Sequence, residues 1–343
     1  NAVTTGTKVK GNIDLGEQSL LRTGLEYQHY FLNDRWPPVA NSMMMGPNTQ
    51  YNINGGLQQT AAAYAEWEKR FDPQLKTTLG IRYEWVNSDT GPVQPYGTMS
   101  ATDNAAAKAL NGSSRNNTNN NVNLTALAQY NVDVHQDAQL GLARQVRNPN
   151  LYELYSWSTS AMNAAMNNFV GDGNGYYGNP NLKPETAYTV SGNYDLHSED
   201  KIYQASLAPY YSYIYNYIGA VQRYSGVCTM MGCPPVTTSL YPGQYNILQY
   251  VNQNAQLAGA DLTGGMPIGK TEYGAFGLKG LLSYTYGRNQ DTGYGQLTIT
   301  HQISGWDNAL ELVAVARKSH IDVQRNEYGT AGYFLTNIKG SYT

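Results

Sequence analysis

The methionines of this sequence fall into clusters. Seven of the nine lie in three short segments, which hold Met43, Met44 and Met45, then Met162 and Met166, then Met230 and Met231. Thioether sulfur is a soft ligand that selects Cu(I) over harder divalent ions. The clusters could therefore bind copper, or they could be flexible side chains that pack beneath surface loops. Met162 and Met166 are four residues apart and would share one face of a helix.

The two cysteines flank the third methionine cluster. Cys228 and Cys233 are the ends of the hexapeptide CTMMGC. As a metal clip, this segment would offer two thiolates and two thioethers. We interpret the pair as a disulfide, because two neighbouring cysteines with none elsewhere are typical of a small loop in an oxidising compartment.

No other motif predicts chemistry. The histidines, which are His29, His135, His197, His301 and His320, are scattered, and the sequence contains no HExxH, no paired CxxC and no phosphate-binding glycine loop. No spacing singles out a serine nucleophile with its base, so we expect no enzymatic activity. The net charge of -3, without a basic run, argues against nucleic acid as a partner.

The elements that would carry these residues are strands. Residues 75–86 read LKTTLGIRYEWV. One face would carry Leu75, Thr77, Leu79, Ile81, Tyr83 and Trp85, and the other Lys76, Thr78, Gly80, Arg82 and Glu84. This period of two recurs along the chain and predicts about thirteen β-strands, the first near residues 4–14 and the last at 332–343.

Short and long connections alternate between these strands. We predict short ones at residues 15–17, 72–74, 133–136, 198–201, 267–270 and 305–308, and long ones at 33–57, 88–120, 148–183, 224–242, 289–294 and 319–331. The Asn-rich run 111–121 is expected to be a solvated loop tip. Tight turns on one side and long loops on the other are typical of outer-membrane barrels. Such long loops are unusual inside a soluble domain.

The composition suits a surface between lipid and water. Only 14% of the 343 residues are charged, whereas soluble domains have about 25% charged residues. The chain also contains 30 tyrosines. Tyrosine is favoured where one end of a side chain is apolar and the other wet. No apolar run approaches the roughly 18 residues of a membrane helix. The predicted fold class is all-β, a transmembrane antiparallel up-and-down β-barrel, and the alternative is an antiparallel sheet on a soluble core.

Two pairs of stretches resemble a known family. RNPNLYELYSWSTS (147–160) precedes GNPNLKPETAYTVSGNYD (178–195), and NQNAQLAGADLTG (252–264) precedes SYTYGRNQDTG (283–293). Together they resemble the barrel of TonB-dependent outer-membrane receptors. The resemblance implies about 22 strands and an N-terminal plug. Residues 1–343 are then expected to be a partial barrel domain without the plug, the TonB box, the early strands and the closing strands. The odd strand count agrees, since bacterial barrels have even numbers.

The resemblance also implies a function. The segments WSTSAMNAAMNNFVGDGNGYYGNPNLKPE, CTMMGC and VQRNEYGTAGYFLTNI resemble the copper-type branch of the family. That branch implies TonB-dependent active uptake of copper across the outer membrane of a Gram-negative bacterium. Energy would come from the TonB–ExbB–ExbD complex through the plug, outer-membrane lipid would surround the barrel, and no catalytic cofactor is expected. The main copper site is expected in the plug and early strands, so the clustered methionines are candidates for a capture track.

Two other functions fit the same architecture. A siderophore receptor would present aromatic and arginine side chains to an anionic iron chelate and would need no methionine clusters. A surface adhesion or phage-receptor barrel would use its long loops for binding without transport. Copper accumulation by variants at Met43, Met44 and Met45 distinguishes the first alternative, and uptake of labelled copper distinguishes the second.

Overall fold

The computed structural model describes residues 1–343 except 44, 99, 169, 226–245, 288–289, 323–324 and 326. Within these residues it contains fourteen strands and three short helices. The strands are β1 (Ala2–Gly16), β2 (Ser19–Trp36), β3 (Gln50–Arg70), β4 (Leu75–Asp89), β5 (Asn117–Asp133), β6 (Gln136–Arg147), β7 (Gly175–Tyr177), β8 (Glu185–His197), β9 (Gln204–Ser225), β10 (Asn246–Thr271), β11 (Gly274–Gly287), β12 (Gln290–Ile303), β13 (Trp306–Val315) and β14 (Tyr333–Tyr342). The helices are α1 (Ala101–Gly112), α2 (Leu151–Tyr155) and α3 (Ala161–Met166).

Strands that follow each other in sequence are neighbours in the sheet. The order is β1-β2-β3-β4-β5-β6-β8-β9-β10-β11-β12-β13-β14, and each neighbouring pair is antiparallel. The short β7 pairs instead with β10, in parallel. The up-and-down architecture and the number of long strands predicted from the sequence are confirmed. In the described part of the chain, no helix is long and apolar enough to cross a membrane.

The outer face of the sheet is apolar. On β4, Leu79 is 46% exposed and Ile81 is 52% exposed, so no second layer of the described protein covers them. Leu25 on β2 and Leu282 on β11 are exposed in the same way. Because alternate residues of a strand point to opposite faces, these side chains belong to one apolar band around the outside of the sheet. The predicted apolar face of β4 is confirmed, and the soluble alternative with a core beneath that face is wrong.

The inner face carries paired charges. Lys76 lies 3.0 Å from Glu68, and Arg82 lies 2.6 Å from Glu26 and 2.5 Å from Glu84. The prediction that Lys76, Arg82 and Glu84 share the polar face of β4 is therefore confirmed. Each of these charges has a partner of opposite sign on its own or a nearby strand, as expected for a wall that faces a polar lumen.

Two predicted connections are wrong. Residues 290–294 of the long connection predicted at 289–294 are strand, since Gly287 of β11 pairs with Gln290 of β12, and residue 289 lies outside the described residues. The turn predicted at 267–270 lies inside β10, which continues to Thr271. A register shift between Pro267 and Gly269 accommodates the proline, which cannot donate a ladder hydrogen bond.

The hydrophobic core lies in the long connections at one end of the sheet. Its fully buried members include Ile53 at the start of β3, Leu154 and Tyr155 of α2, and Tyr176 of β7. The long connections therefore pack on one another and on the strand ends. The predicted loop tip at 111–121 is also wrong in its second half, since β5 begins at Asn117 and pairs with β4.

Candidate functional site

The described methionines of the clusters lie in the long connections that form this layer, mostly on its surface. Met43 is 77% exposed, Met45 is half-buried, and Met166 at the end of α3 is 50% exposed. Met162 is also in α3, which confirms that this segment is helical. The other members lie outside the described residues: Met44, Met230, Met231, Cys228 and Cys233.

The first methionine segment is a compact loop. The amide of Val39 donates to the Met45 carbonyl at 2.7 Å, and the Met45 amide donates to Ser42 Oγ at 3.0 Å. Three residues beyond Met45, the amide of Asn48 donates to the Tyr96 carbonyl at 2.8 Å. The segment is therefore fixed both to itself and to the connection between β4 and β5.

The second methionine segment is attached to the start of β3, where the first one ends. Asn52 Nδ2 donates to Asn167 Oδ1 at 2.7 Å, and both side chains are almost fully buried. Trp157 Nε1 donates to the carbonyl of Tyr51 at 3.0 Å. Asn167 directly follows Met166, so the second methionine-bearing loop is hydrogen-bonded to the strand that directly follows the first one.

The two Asn-Pro-Asn stretches of the sequence meet through Arg147. Its guanidinium contacts Glu153 at 3.0 Å and Glu185 at 2.7 Å. Glu153 also closes a capping box at the start of α2, in which Asn150 Oδ1 accepts from the Glu153 amide and Glu153 Oε2 accepts from the Asn150 amide, both at 2.8 Å. Arg147 therefore fixes both ends of the loop between β6 and β8.

Asn252 of β10 secures the same loop from the other side. Its Oδ1 accepts from the Lys183 amide at 2.8 Å, and its Nδ2 donates to the carbonyls of Lys183 at 2.9 Å and Asn216 at 2.7 Å. Gly178 packs so closely that a Cβ there would lie 2.8 Å from the carbonyl carbon of Leu154. The stretches that resemble the receptor family thus contain residues, such as Arg147 and Asn252, that hold the loop between β6 and β8 against the barrel strands.

Asp103 links α1 to the segment that carries α3. Ser158 Oγ donates to Asp103 Oδ1 at 2.7 Å, and Asn163 Nδ2 donates to Ser158 Oγ at 3.0 Å. The Asp103 amide in turn donates to Ser100 Oγ, which caps α1. Burial raises the pKa of Asp103 above its usual range, against the opposing hydrogen bonds from Ser158 and Ser160.

The raised pKa of Asp103 predicts that the packing of α1 against the segment that carries α3 is more stable at low pH. The neutral carboxyl is favoured in the packed state, so its stabilising contribution is complete below the unfolded pKa of about 3.9. The contribution is lost as the pH rises through the folded value. Hydrogen exchange of α1 and α3, corrected for intrinsic rates, should show more protection near pH 4 than at pH 8. D103A should abolish the difference while K108A, on an exposed position of the same helix, should retain it. Protection that rises with pH would contradict the assignment.

The histidines do not assemble into a metal site in the described residues, where no group of three or more His, Cys, Asp or Glu side chains could hold an ion. His197, at a short turn, lies 3.2 Å from Asp137. His320 packs edge-on against Tyr286, with ring centroids 5.5 Å apart.

Sequence reasoning missed the residues that hold the loops together. Asn52 and Asp103 belong to no motif of the sequence, Asn167 is one of several asparagines in its segment, and the partners of all three are distant along the chain. Arg147 and Asn252 lie inside the quoted motifs, but nothing in one sequence shows what they contact. For Asn52 and Arg147, the position of a polar residue at the end of a strand was the available signal.

The sequence itself decides the family. The family model described as "TonB dependent receptor-like, beta-barrel" matches residues 1–343. The chain belongs to this family of TonB-dependent receptors. The apolar band of this receptor barrel therefore faces the lipid of a Gram-negative outer membrane, the long connections are extracellular loops, and the short ones are periplasmic turns. The family consists of receptors and transporters, not enzymes.

Solved structures share the fold of this receptor domain. The copper transporter OprC matches with a TM-score of 0.70 and 13% identity, over 100% of this chain and 48% of that chain. The FrpB iron transporter from Neisseria meningitidis (F3-3 variant) matches with a TM-score of 0.65 and 11% identity, over 100% and 48%. The siderophore receptor PirA from Pseudomonas aeruginosa matches with a TM-score of 0.58 and 15% identity, over 100% and 48%. The chain thus spans about half the length of these proteins, and no curated protein sequence matches it.

Proposed function

We propose that this domain is part of the barrel wall of a copper-uptake receptor, and that its methionine-bearing loops capture the ion. The observation that carries the proposal is that the segment of Met162 and Met166 is hydrogen-bonded to Tyr51 and Asn52 at the start of β3, the strand that directly follows the loop of Met43 and Met45. Soft thioethers held on the extracellular side suit copper in preference to hard divalent ions. The similarity in fold to a protein named a copper transporter supports the same substrate.

The partners follow from the proposed transport. Uptake against a gradient needs energy, and we infer that the TonB–ExbB–ExbD complex supplies it through a plug domain in the full-length receptor. Residues 1–343 then form part of the channel wall around that plug. We infer in addition that Cys228 and Cys233 form a disulfide that closes the loop carrying Met230 and Met231, since this loop meets the oxidising medium.

A siderophore receptor is the second candidate with this fold, because the structures of FrpB and PirA also match this chain over its full length. An anionic chelate would need cationic side chains that are free to bind it. Arg115 instead donates to the carbonyls of Thr90 and Asn111, at 3.0 Å and 2.6 Å, and Lys318 lies 3.0 Å from Glu327. The loop segments 37–49 and 226–245 contain no charged residue. These features favour copper.

Uptake of labelled copper by cells that express the full-length receptor tests the proposal. The triple variant M43L/M44L/M45L removes the thioethers and conserves side-chain volume. We expect accumulation at limiting copper to fall about tenfold, in the range seen when a metal site loses important contacts. M266L is the matched control, since Met266 is an exposed methionine on the lipid face of β10 and should have no effect.

Growth on ferric siderophores, measured in the same strains, separates the alternatives. Intact siderophore use with reduced copper uptake supports copper as the substrate. Unchanged copper uptake in the triple variant would contradict the capture role of this loop, and absence of any receptor-dependent uptake would favour an adhesion or phage-receptor barrel.

A further inference from the structure

One arginine stands on the lipid-facing side of the barrel. Arg144 of β6 pairs with Leu124 of β5 on one side and with Tyr188 of β8 on the other, and both partners belong to the outward apolar face. The other outward positions of β5, β6 and β8 are aliphatic, aromatic or uncharged polar residues. A charge in such a position is costly within hydrocarbon, and it is rare without a function.

Arg144 lies where the ladder between β5 and β6 ends on the extracellular side. Leu124–Arg144 is the outermost pair of this ladder. Above it, Arg144 Nη1 donates to the carbonyl of Val122, and the amide of Val146 donates to Asn123 Oδ1 at 2.7 Å. Side chains thus replace the missing main-chain bonds. Since β5 runs towards the periplasm, the reach to Val122 directs the guanidinium towards the extracellular surface.

The guanidinium retains unused hydrogen-bond donors at this depth. Arg144 Nε donates to Tyr188 Oη at 3.3 Å, and the guanidinium carbon lies 5.8 Å from the centroid of the Tyr188 ring. The hydrogen bonds to Tyr188 and to the carbonyl of Val122 use two of the five N–H groups of the arginine. Among the described residues, no acidic side chain forms an ion pair with it. The charge therefore has no counter-ion within the described part of the chain.

Tyrosines place Arg144 at the level of lipid headgroups. Tyr188 packs edge-on against Tyr215, with centroids 5.9 Å apart, and Tyr215 packs against Tyr213 at 4.7 Å. Such outward tyrosines mark the boundary between the hydrocarbon and the headgroups. Arginine binds phosphate through its planar fork, and long cationic side chains near this boundary reach towards headgroups.

We propose that Arg144, with Tyr188 beside it, binds the phosphate of an anionic lipid in the outer leaflet. The acyl chains of that lipid lie on Leu124 and Leu142, which are 43% and 53% exposed directly beside and below the guanidinium. The lipid supplies the counter-ion that the described residues do not, and it covers the point where the β5–β6 ladder ends.

Native mass spectrometry of the full-length receptor in a neutral detergent tests the site. Phosphatidylglycerol is the anionic probe, and phosphatidylcholine is the neutral reference. We expect R144Q to lower phosphatidylglycerol occupancy about fivefold, the size expected for one cation near a charged membrane surface. Phosphatidylcholine occupancy should not change. K108Q removes the same charge from an exposed site on α1 and should leave both unchanged.

Two further arms decide between sources of phosphate and test whether the preference depends on charge. Inorganic phosphate at the same concentration should not displace the lipid; if it does, the site takes free anions and the lipid proposal is overturned. The preference of the unsubstituted receptor for phosphatidylglycerol should weaken with added salt, which screens surface charge. Equal occupancy in R144Q and the unsubstituted receptor, or a preference that salt does not change, would also overturn it.

Discussion

L79R should destabilise the barrel by about 2–4 kcal/mol, the cost measured for arginine on the lipid face of outer-membrane barrels near the bilayer midplane. Leu79 is outward on β4, 46% exposed, and has no protein layer over it. An arginine there must either lie in hydrocarbon or distort the bilayer to reach water. Denaturant unfolding of the full-length receptor in phospholipid vesicles measures the cost.

The neighbouring residue provides a matched control. Thr78 lies on the opposite, inner face of β4 and pairs with Glu68 of β3. T78R places the same group beside a carboxylate in a polar lumen, and we expect a change within about 1 kcal/mol. Equal destabilisation by the two substitutions would mean that the two faces meet similar surroundings, which would contradict the membrane orientation of the sheet.

R147A is expected to have the next largest effect, a loss of about 2 kcal/mol in the stability of the loop between β6 and β8. Its removal leaves Glu153 and Glu185, whose side chains are only 10% and 12% exposed, facing each other without a cation. Breaking a buried ion pair costs about 3–5 kcal/mol, and we expect less because Arg147 itself is about half exposed.

Limited proteolysis of loop 148–184 in the full-length receptor reports this change. R147K keeps a charge but loses the planar fork, so its cleavage rate should fall between those of the unsubstituted receptor and R147A. R223A is the control, since Arg223 is exposed and its hydrogen bond within the described residues goes to a neutral side chain, that of Gln249, at 2.8 Å. Cleavage of R147A at the rate of the unsubstituted receptor would show that the motif contact does not hold the loop.

The strands of the sheet and their faces could be predicted from the sequence because the alternation of apolar and polar residues depends only on neighbouring residues. Alternation in residues 75–86 places Leu79 and Arg82 on opposite faces whatever the rest of the chain does, and the structure agrees. The turn predicted at 267–270 failed because Pro267 and Gly269 usually end a strand. Here a register shift retains them in β10, and only pairing with β11 reveals it.

The loop layer could not be predicted in the same way. The Asn-rich run looks solvated by composition, yet Asn117 and Asn121 lie in β5, and Asn121 is buried. Asn52 and Asn167 are 115 residues apart, and their contact depends on how whole loops fold back over the strands. The resemblance identified the family from the motifs, but only the structure explains them, as the Arg147 and Asn252 contacts that fasten one loop to the barrel.

The measurement that tests the proposed function most directly is the copper content of the purified full-length receptor, determined by native mass spectrometry under reducing conditions. We predict that the unsubstituted receptor binds copper and that M43L/M44L/M45L binds fewer ions, while M266L is unchanged. Equal copper content in the receptor and the triple variant, or a receptor that binds no copper at all, would contradict capture by the methionine loops.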